Sequence, residues 1–441
     1  MSDSSSSEES DDDSSAEDNF LDDLQLLRGN DSSLTYFEVS GLSPYVQDMT
    51  GEDWEQLGRD ISNNRHLKKL EIVTALDEQT MTSLFRGLTR SSSIEEVILT
   101  NNRSGVNGLE NMVPFLQNAN NLLELDFYHD DNISSEGFSL IWGALRDSPI
   151  KALTFVSCQL SSIEIDVAYV PNCLKVLNLS RNEINADGCR EVAKLLRRED
   201  TILEHLYLFE NKIDDEGMSY LVNALRTNTS LRAIQLHGNE GITTEGMRLL
   251  LKLLNDISSI EATLQSNHTL FVMTFNNNFD GTDIGRQIRG VLQIIEDNLD
   301  NLDVSDVSKI KVIYTQLDSK QRAEMCRLQG VQNSGKPFTE LGPLLLPEVL
   351  EIVGNHHGLS EFYESFRTSV ADLWTIIDRK EVLRQQKAEL AIELDALVAK
   401  RLEVEKQISN VEMEIDLMEQ AELSQHAACD GSQKSKRQKI Y

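Results

Sequence analysis

The strongest constraint on the fold is a pattern that occurs three times between Leu174 and Leu254. Each copy reads Leu-x-x-[Leu/Ile]-x-Leu-x-x-Asn-x-x-Ile, followed by an acidic or threonine-containing cluster, a glycine and a stretch with helical apolar spacing. The copies begin at Leu174, Leu203 and Leu231, so the repeat is 28 to 29 residues long. A fixed period of this length predicts a solenoid, in which one strand–helix unit stacks on the next.

Weaker copies extend the array in both directions. They begin at Leu67, Ile94, Leu122, Ile150 and Leu270. Residues 34–42 resemble a degenerate first strand, with Leu42 among its apolar positions. The short step before Leu174 predicts that a loop replaces one helix at Ser161–Pro171, and the long step before Leu270 predicts an insertion near Ile257–His268. We therefore assign residues 31–300 to the solenoid.

The alternation within each copy predicts which side chains face the core. Leu177 and Leu179 point inward and Asn178 points outward, because successive side chains of a strand lie on opposite faces. The asparagine of the following turn is also expected to point inward, where its amide can satisfy backbone groups. These asparagines are Asn182, Asn211, Asn239 and Asn278, with Asp130 and Cys158 in their place in two weaker copies.

This pattern resembles the leucine-rich repeat family, in particular its ribonuclease-inhibitor-like class. The three central copies carry the resemblance, and Gly188-Cys189 matches the Gly-Cys pair of that class. The resemblance implies an α/β horseshoe with a parallel inner sheet and outer helices. It implies no particular ligand, because the same fold serves many binding functions.

Composition restricts the class of partner. The chain carries 73 acidic and 41 basic residues, a net charge of -32, which disfavours nucleic-acid binding and favours basic protein surfaces. The five cysteines form no CxxC pair, which is typical of a reducing compartment. No apolar run reaches the roughly 18 residues of a membrane span. We expect a cytoplasmic or nuclear protein that binds neither nucleic acid nor membrane.

The segments outside the solenoid differ sharply in composition. Residues 1–30 are predicted to form a disordered acidic, serine-rich tail, which either solubilises the chain or is phosphorylated by an acid-directed kinase. Residues 301–377 follow no repeat and are predicted to form a helical module. Residues 424–441 are predicted to be a disordered basic tail. Its sequence KSKRQKIY is either a nuclear localisation signal or a chance basic terminus.

Residues 378–423 have a seven-residue apolar period, which predicts a coiled coil. Lys387 and Arg401 occupy a positions, which favours a defined register at some cost in stability. A long helix packed on its own chain is the alternative, but sustained heptads favour a homodimer or a coiled-coil heteromer. The seam consists of Leu383, Leu390, Leu394, Leu397, Val404, Ile408, Val411, Ile415 and Met418.

Catalytic and cofactor motifs have no convincing match. GVQNSGKP at Gly330–Pro337 differs from a phosphate-binding loop, because Pro337 replaces the magnesium-binding Ser/Thr and a helical pattern precedes it. His357 and Glu361 have helical spacing but no third metal ligand at a suitable distance in the sequence. We therefore predict no enzyme activity, no cofactor and no metal site.

The alternating strand positions between Glu96 and His237 are expected to be exposed on the concave face of the sheet. Aromatic and imidazole groups, which are enriched at binding hot spots, occur there at Tyr128, His205, Tyr207, Phe209 and His237. Acidic groups occur in the N-terminal half at Glu71, Glu96, Glu124 and Asp126. These residues predict a binding face for a protein with a basic surface.

The predicted function is a non-enzymatic scaffold that captures a protein on this face and self-associates through the coiled coil. One alternative is a GTPase-activating protein of the Ran type, which shares the repeat class, although no catalytic arginine can be matched. The other alternative, by analogy of fold, is a regulatory or innate-immune inhibitor.

Overall fold

The structure is a computed structural model, and it describes residues 15–299, 307–308, 311, 319–330, 387, 400–413 and 415. Two compact units divide the chain. The first comprises residues 1–340 and 347–365, and the second comprises residues 341–346 and 366–441. The repeats belong to the first unit. Among the described helices, none is long and apolar enough to cross a membrane.

One parallel sheet runs through all the repeats. Its nine described strands lie in sequence order, each pairing with the next. The strands are β1 (Tyr36–Ser40), β2 (Lys69–Val73), β3 (Glu96–Thr100), β4 (Glu124–Tyr128), β5 (Ala152–Val156), β6 (Val176–Asn178), β7 (His205–Tyr207), β8 (Ala233–Gln235) and β9 (Val272–Thr274). The predicted α/β leucine-rich repeat solenoid is thereby confirmed.

Helices connect the strands and form a second layer. They are α1 (Ser15–Arg28), α2 (Pro44–Gln47), α3 (Gly51–Asn63), α4 (Glu78–Gly87), α5 (Gly105–Asn118), α6 (Ser135–Ala144), α7 (Ala186–Leu196), α8 (Asp215–Leu225), α9 (Thr244–Leu254), α10 (Ile260–Leu264), α11 (Asp283–Leu299) and α12 (Ser319–Gln329). Capping side chains define where they begin. Asn185 accepts hydrogen bonds from the first turn of α7, Asp214 from that of α8 and Thr243 from that of α9.

Buried asparagines tie successive repeats together at the turn after each strand. Asn211 Nδ2 donates to Leu208 O at 3.1 Å and to Leu179 O of the preceding repeat at 2.9 Å. Its Oδ1 accepts from Ile184 N at 2.9 Å. Asn182 and Asn239 make the same two kinds of contact with their preceding repeats. The side chains satisfy backbone groups that the strands leave unpaired inside the core.

The prediction that Asn278 points inward, as the last asparagine of the series, is wrong. Asn278 is exposed and lies in a 3-10 turn at Asn277–Phe279. Asn276, two residues earlier, instead donates to Asn239 O at 2.8 Å. The prediction that Asp130 and Cys158 take the place of the inward asparagine is confirmed, because both are buried at the equivalent turns.

Two irregular repeats have the predicted form. A single 3-10 turn at Val167–Tyr169 stands between β5 and β6, where other repeats have a helix. The insertion before β9 contains the short helix α10. At the C-terminal end, α11 buries one apolar face, which consists of Ile284, Ile288, Val291, Leu292 and Ile295.

The disordered N-terminal tail predicted for residues 1–30 is too long. Residues 1–14 lie outside the described part of the chain, but Ser15–Arg28 forms α1. Phe20, Leu24 and Leu27 of this helix are buried and cover the core beneath β1. Leu42 is also misassigned, because it is 83% exposed in the loop after β1.

The predicted helical module at 301–377 is described only in part. Residues 307, 308, 311 and 319–329 are helical. In α12, Leu328 O accepts from Arg248 Nε at 2.8 Å, and Gln329 Nε2 donates to Asn255 O at 2.6 Å. These bonds attach α12 to the last repeats. The boundaries of the module stay a prediction, as do those of the basic tail at 424–441, which lies outside the described residues.

Candidate protein-binding face

The strand register arranges the side chains of the face opposite the helices, here called the inner face, in continuous rows. The first row consists of Tyr36, Lys69, Glu96, Glu124, Ala152, Val176, His205, Ala233 and Val272. The second consists of Glu38, Glu71, Ile98, Asp126, Thr154, Asn178, Tyr207, Gln235 and Thr274. All carboxylates and the single lysine of these rows lie on β1–β4. The two rows are therefore acidic at one end and contain no carboxylate, lysine or arginine at the other.

We call Glu38, Glu71, Glu96, Glu124 and Asp126 the acidic half. Lys69 Nζ lies 2.9 Å from Glu96 Oε1 and 3.9 Å from Glu71 Oε2. The Tyr36 hydroxyl is shared between Glu38 and Glu71, at 2.8 and 3.0 Å. One lysine thus faces five carboxylates, which leaves this half strongly negative.

The densest part of the acidic half surrounds Asp126. Carboxylate oxygens of Glu96, Glu124 and Asp126 lie within 4.8 Å of one another. The pKa of Asp126 is raised to about 6, chiefly by burial and also by Glu124 and Glu96, against the lowering effects of the Thr154 hydrogen bond and Lys69. Such oxygens suit a divalent cation or a basic side chain equally. We assign no metal, because acidic groups gather in this way without one.

The expectation that every alternating residue is exposed is wrong for the middle of the sheet. Asp126 is only 9% exposed, and the Glu96 and Glu124 carboxylates and the Thr154 hydroxyl lie close to its carboxylate. Four further positions of the predicted exposed set are also buried: Thr154, Val156, Ser180 and Ala233. Asp126 therefore contributes to the face mainly through its charge.

The predicted aromatic group divides into two places. Tyr128 lies on β4 beside the acidic half, where burial and then Asp126 raise the pKa of its hydroxyl. The other four residues lie on or directly after β7 and β8. Three strand spacings, about 14 Å, separate β4 from β7. Tyr128 consequently belongs with the carboxylates, and the remaining four form a separate surface.

We call His205, Tyr207, Phe209 and His237 the aromatic patch. The rings of Phe209 and His237 stack with centroids 4.7 Å apart, and those of His205 and Tyr207 lie 6.2 Å apart. Arg181 lies over the Phe209 ring at 5.9 Å. All four side chains of the patch are half-buried. Held rings of this kind can bury against a partner with little further loss of conformational freedom.

An open depression adjoins the aromatic patch. Its volume is about 510 Å³. It is lined by His237, Gly238, Glu240, Asn276, Asn277 and Asn278. His237 Nδ1 lies 2.8 Å from Thr274 Oγ1, which orients the ring at the edge of this depression. A partner side chain could enter here beside the stacked rings.

Three inner-face residues were missing from the predicted site: Tyr36, Glu38 and Lys69. The alternation of Tyr36–Ser40 contains the signal, because Phe37 and Val39 are its apolar, buried positions. Placing Phe37 inward fixes Tyr36 and Glu38 on the opposite face.

Part of the predicted coiled-coil seam is described. Residues 400–413 are helical. Val404, Ile408, Val411 and Ile415 are between 50% and 54% exposed. Leu383, Leu390, Leu394, Leu397 and Met418 lie outside the described residues. The described segment has an apolar seam facing solvent, and its pairing stays a prediction.

Comparisons with known proteins agree with this architecture. A family model for the leucine-rich repeat matches residues 170–193, 200–222 and 227–251, and it describes a repeat rather than a catalytic activity. The ribonuclease inhibitor of Mus musculus is 26% identical over 208 residues, which cover 40% of this chain and 45% of that protein. NACHT, LRR and PYD domains-containing protein 14 of Homo sapiens is 27% identical over 193 residues, which cover 42% of this chain and 18% of that protein. These alignments span less than half of either relative.

Among solved structures, the actin-binding site 2 of leiomodin-1 aligns with 69% of this chain and 97% of that chain. The sequence identity is 11% and the TM-score is 0.14.

Proposed function

We propose, from the premise that the chain is a leucine-rich repeat protein of the ribonuclease-inhibitor-like class, that it is a scaffold which binds a protein on its inner face. The observation that carries the proposal is the division of that face. Five carboxylates attract a basic surface at one end, and stacked rings offer an apolar anchor at the other. Charge steers the encounter and aromatic burial supplies most of the affinity.

Replacing both Tyr207 and Phe209 with alanine is expected to reduce partner capture at least tenfold while folding is retained. Truncated aromatic hot spots commonly cost about 2 kcal/mol or more each, and tenfold corresponds to about 1.4 kcal/mol. Pull-down from native lysate with quantitative mass spectrometry measures the effect. Tyr220→Ala on α8 is the matched control, because it removes an aromatic ring from the other layer. Equal capture by the double variant would show that the patch is not the binding site.

We further propose that the exposed seam around Val404–Ile415 pairs with a second helix. Val404→Asp combined with Val411→Asp is expected to weaken self-association at least a hundredfold, because two unpaired carboxylates would be buried in the seam. Analytical ultracentrifugation over a concentration series measures this. Ser409→Asp, outside the a and d positions, is the control. A wild-type chain that sediments as a monomer at all concentrations would contradict homodimerisation.

A regulatory inhibitor is the second candidate. The specific support is the likeness to a protein named ribonuclease inhibitor, which aligns over 208 residues. Such a role uses the same inner face and differs only in what the captured protein does afterwards. A Ran-type GTPase-activating role has no such support, since no arginine can be matched to a catalytic position. Addition of the chain to purified Ran with GTP would leave the hydrolysis rate unchanged.

A further inference from the structure

The N-terminal end of the sheet leaves one strand edge without a partner strand among the described residues. The strand order begins with β1, which pairs only with β2. Thr35 O accepts from Lys69 N at 3.0 Å, and Gly41 N donates to Val73 O at 2.9 Å. Residues alternate in the direction of their backbone groups, so the amides and carbonyls of Tyr36 and Glu38 point away from β2.

The helix at this end protects the core but does not continue the sheet. Phe20 of α1 lies beneath β1, with its ring centroid 5.7 Å from that of Phe37. Phe37 and Val39 are fully buried as a result. At the other end of the sheet, α11 contacts β9, and α12 in turn contacts α11.

Exposed apolar groups are concentrated in the elements next to β1 in the sequence. Half of the large apolar side chains that are exposed within residues 15–299 belong to the first elements of the chain: Leu21, Tyr36, Leu42 and Tyr45. An exposed edge strand with apolar neighbours is a template for pairing with another chain. The residues before α1 contain only one large apolar side chain, Met1, so that segment is poorly suited to cover them.

The charge of the edge indicates the chemistry of the occupant. Lys69 on β2 places its ammonium 5.9 Å from the centre of the Tyr36 ring and close to Glu71 and Glu96. A strand added on the outer side would place a side chain in the corresponding position beside Tyr36 and Glu38. A lysine or arginine there would meet the same combination of ring and carboxylate. A second copy of this chain would instead bring two acidic rows together.

We propose that β1 is a docking site for an extended segment of a partner protein, which adds to the sheet as a tenth strand and places a basic side chain beside Glu38. Main-chain hydrogen bonds hold the segment, and the Glu38 carboxylate selects its charge. This inference goes beyond binding at the aromatic patch. It assigns a separate surface, continuous with the acidic half, to an extended basic sequence.

The test uses a blocked peptide of alternating lysine and valine as the probe. We expect it to bind the full chain and to slow hydrogen exchange at the amides of residues 36–40. A second peptide has the same side chains, but the amides that would face β1 are N-methylated. It should bind at least tenfold more weakly, because it keeps its charge but cannot donate main-chain hydrogen bonds to β1. Glu38→Pro removes an outward N–H without touching the β2 pairing, and it should weaken binding to a similar degree. Glu38→Gln should lose only the salt-dependent part of the affinity.

Three results would overturn the inference. The first is equal binding of the methylated peptide, and the second is exchange protection at residues 205–209 instead of 36–40. The third is a change in the oligomeric state of the free chain on Glu38→Pro, because a second copy would then occupy the edge. Tyr207→Ala with Phe209→Ala should leave peptide binding unchanged. Failure at the edge is therefore distinguishable from failure of the inner-face proposal.

Discussion

Gly87→Ala is expected to lower the free energy of unfolding by roughly 3 kcal/mol or more. A Cβ at Gly87 would lie 2.0 Å from Glu55 O and 2.7 Å from Arg59 N of α3. Gly58 meets α4 equally closely, since its Cβ would lie 2.2 Å from Leu84 O. The obstructing atoms are backbone, so no side chain can rotate away and the two helices must separate.

The expected loss exceeds the gain that alanine normally brings to a helix. Alanine in a helix interior is favoured over glycine by about 1 kcal/mol at most. Gly143→Ala in α6 measures this helix preference alone, because nothing lies within 4 Å of the Cβ that the substitution adds. Gly143→Ala should therefore be neutral or stabilising by up to about 1 kcal/mol.

Denaturant unfolding followed by tryptophan fluorescence can separate the two sites. Trp54 is buried on α3 and Trp142 on α6, so each reports on one of the altered regions. A repeat array can unfold in parts, which makes such local probes necessary. If Gly87→Ala left the unfolding midpoint within the error of Gly143→Ala, the close approach of α3 and α4 would be refuted.

The repeat pattern was sufficient to predict most of the array. Strands β2–β9 lie where the copies at Leu67 through Leu270 placed them, because buried strand positions and the inward asparagine leave few alternatives for each unit. The shortened repeat was also predictable, since too few residues separate Ile150 from Leu174 to form strand, helix and both turns.

Helix α1 was predicted to be disordered, because the acidic composition of residues 1–30 was given more weight than the spacing of their apolar residues. Asp18, Asp22 and Asp23 make the segment acidic, and high charge with few apolar residues normally indicates disorder. Yet Phe20, Leu24 and Leu27 have helical spacing and share one face. An open solenoid end needs a cover, and three apolar side chains on a helix are enough to provide it.

The candidate site was predictable in its residue types but not in its grouping. Alternation places a side chain on the inner face, but it does not reveal how deeply that side chain is buried. Asp126 is buried, although it alternates correctly with Leu125 and Phe127. The separation of Tyr128 from the aromatic patch depends on the order of the strands across the sheet.

Asn211→Ala is expected to lower the free energy of unfolding by about 2 to 3 kcal/mol. The substitution leaves Ile184 N without its acceptor inside the core. It also removes one of two amide donors from each of two carbonyls, since Leu179 O keeps Asn182 Nδ2 and Leu208 O keeps Asn239 Nδ2. Each buried polar group that loses its partner costs about 1 to 3 kcal/mol, and the repeat on either side is affected. The turn cannot open to water without breaking the stacking of both repeats.

Two variants make the Asn211 result interpretable. Asn223→Ala on α8 removes an exposed amide that donates to Ser219 Oγ at 3.4 Å, and it should change stability by less than about 0.5 kcal/mol. Asn211→Asp keeps an acceptor for Ile184 N but loses the donors and introduces a buried charge, so its stability should recover as pH falls and the carboxyl is protonated. Denaturant titrations of the three variants at neutral and acidic pH measure these differences. Equal stability of Asn211→Ala and Asn223→Ala would mean that the Asn211 amide does not help to hold neighbouring repeats together.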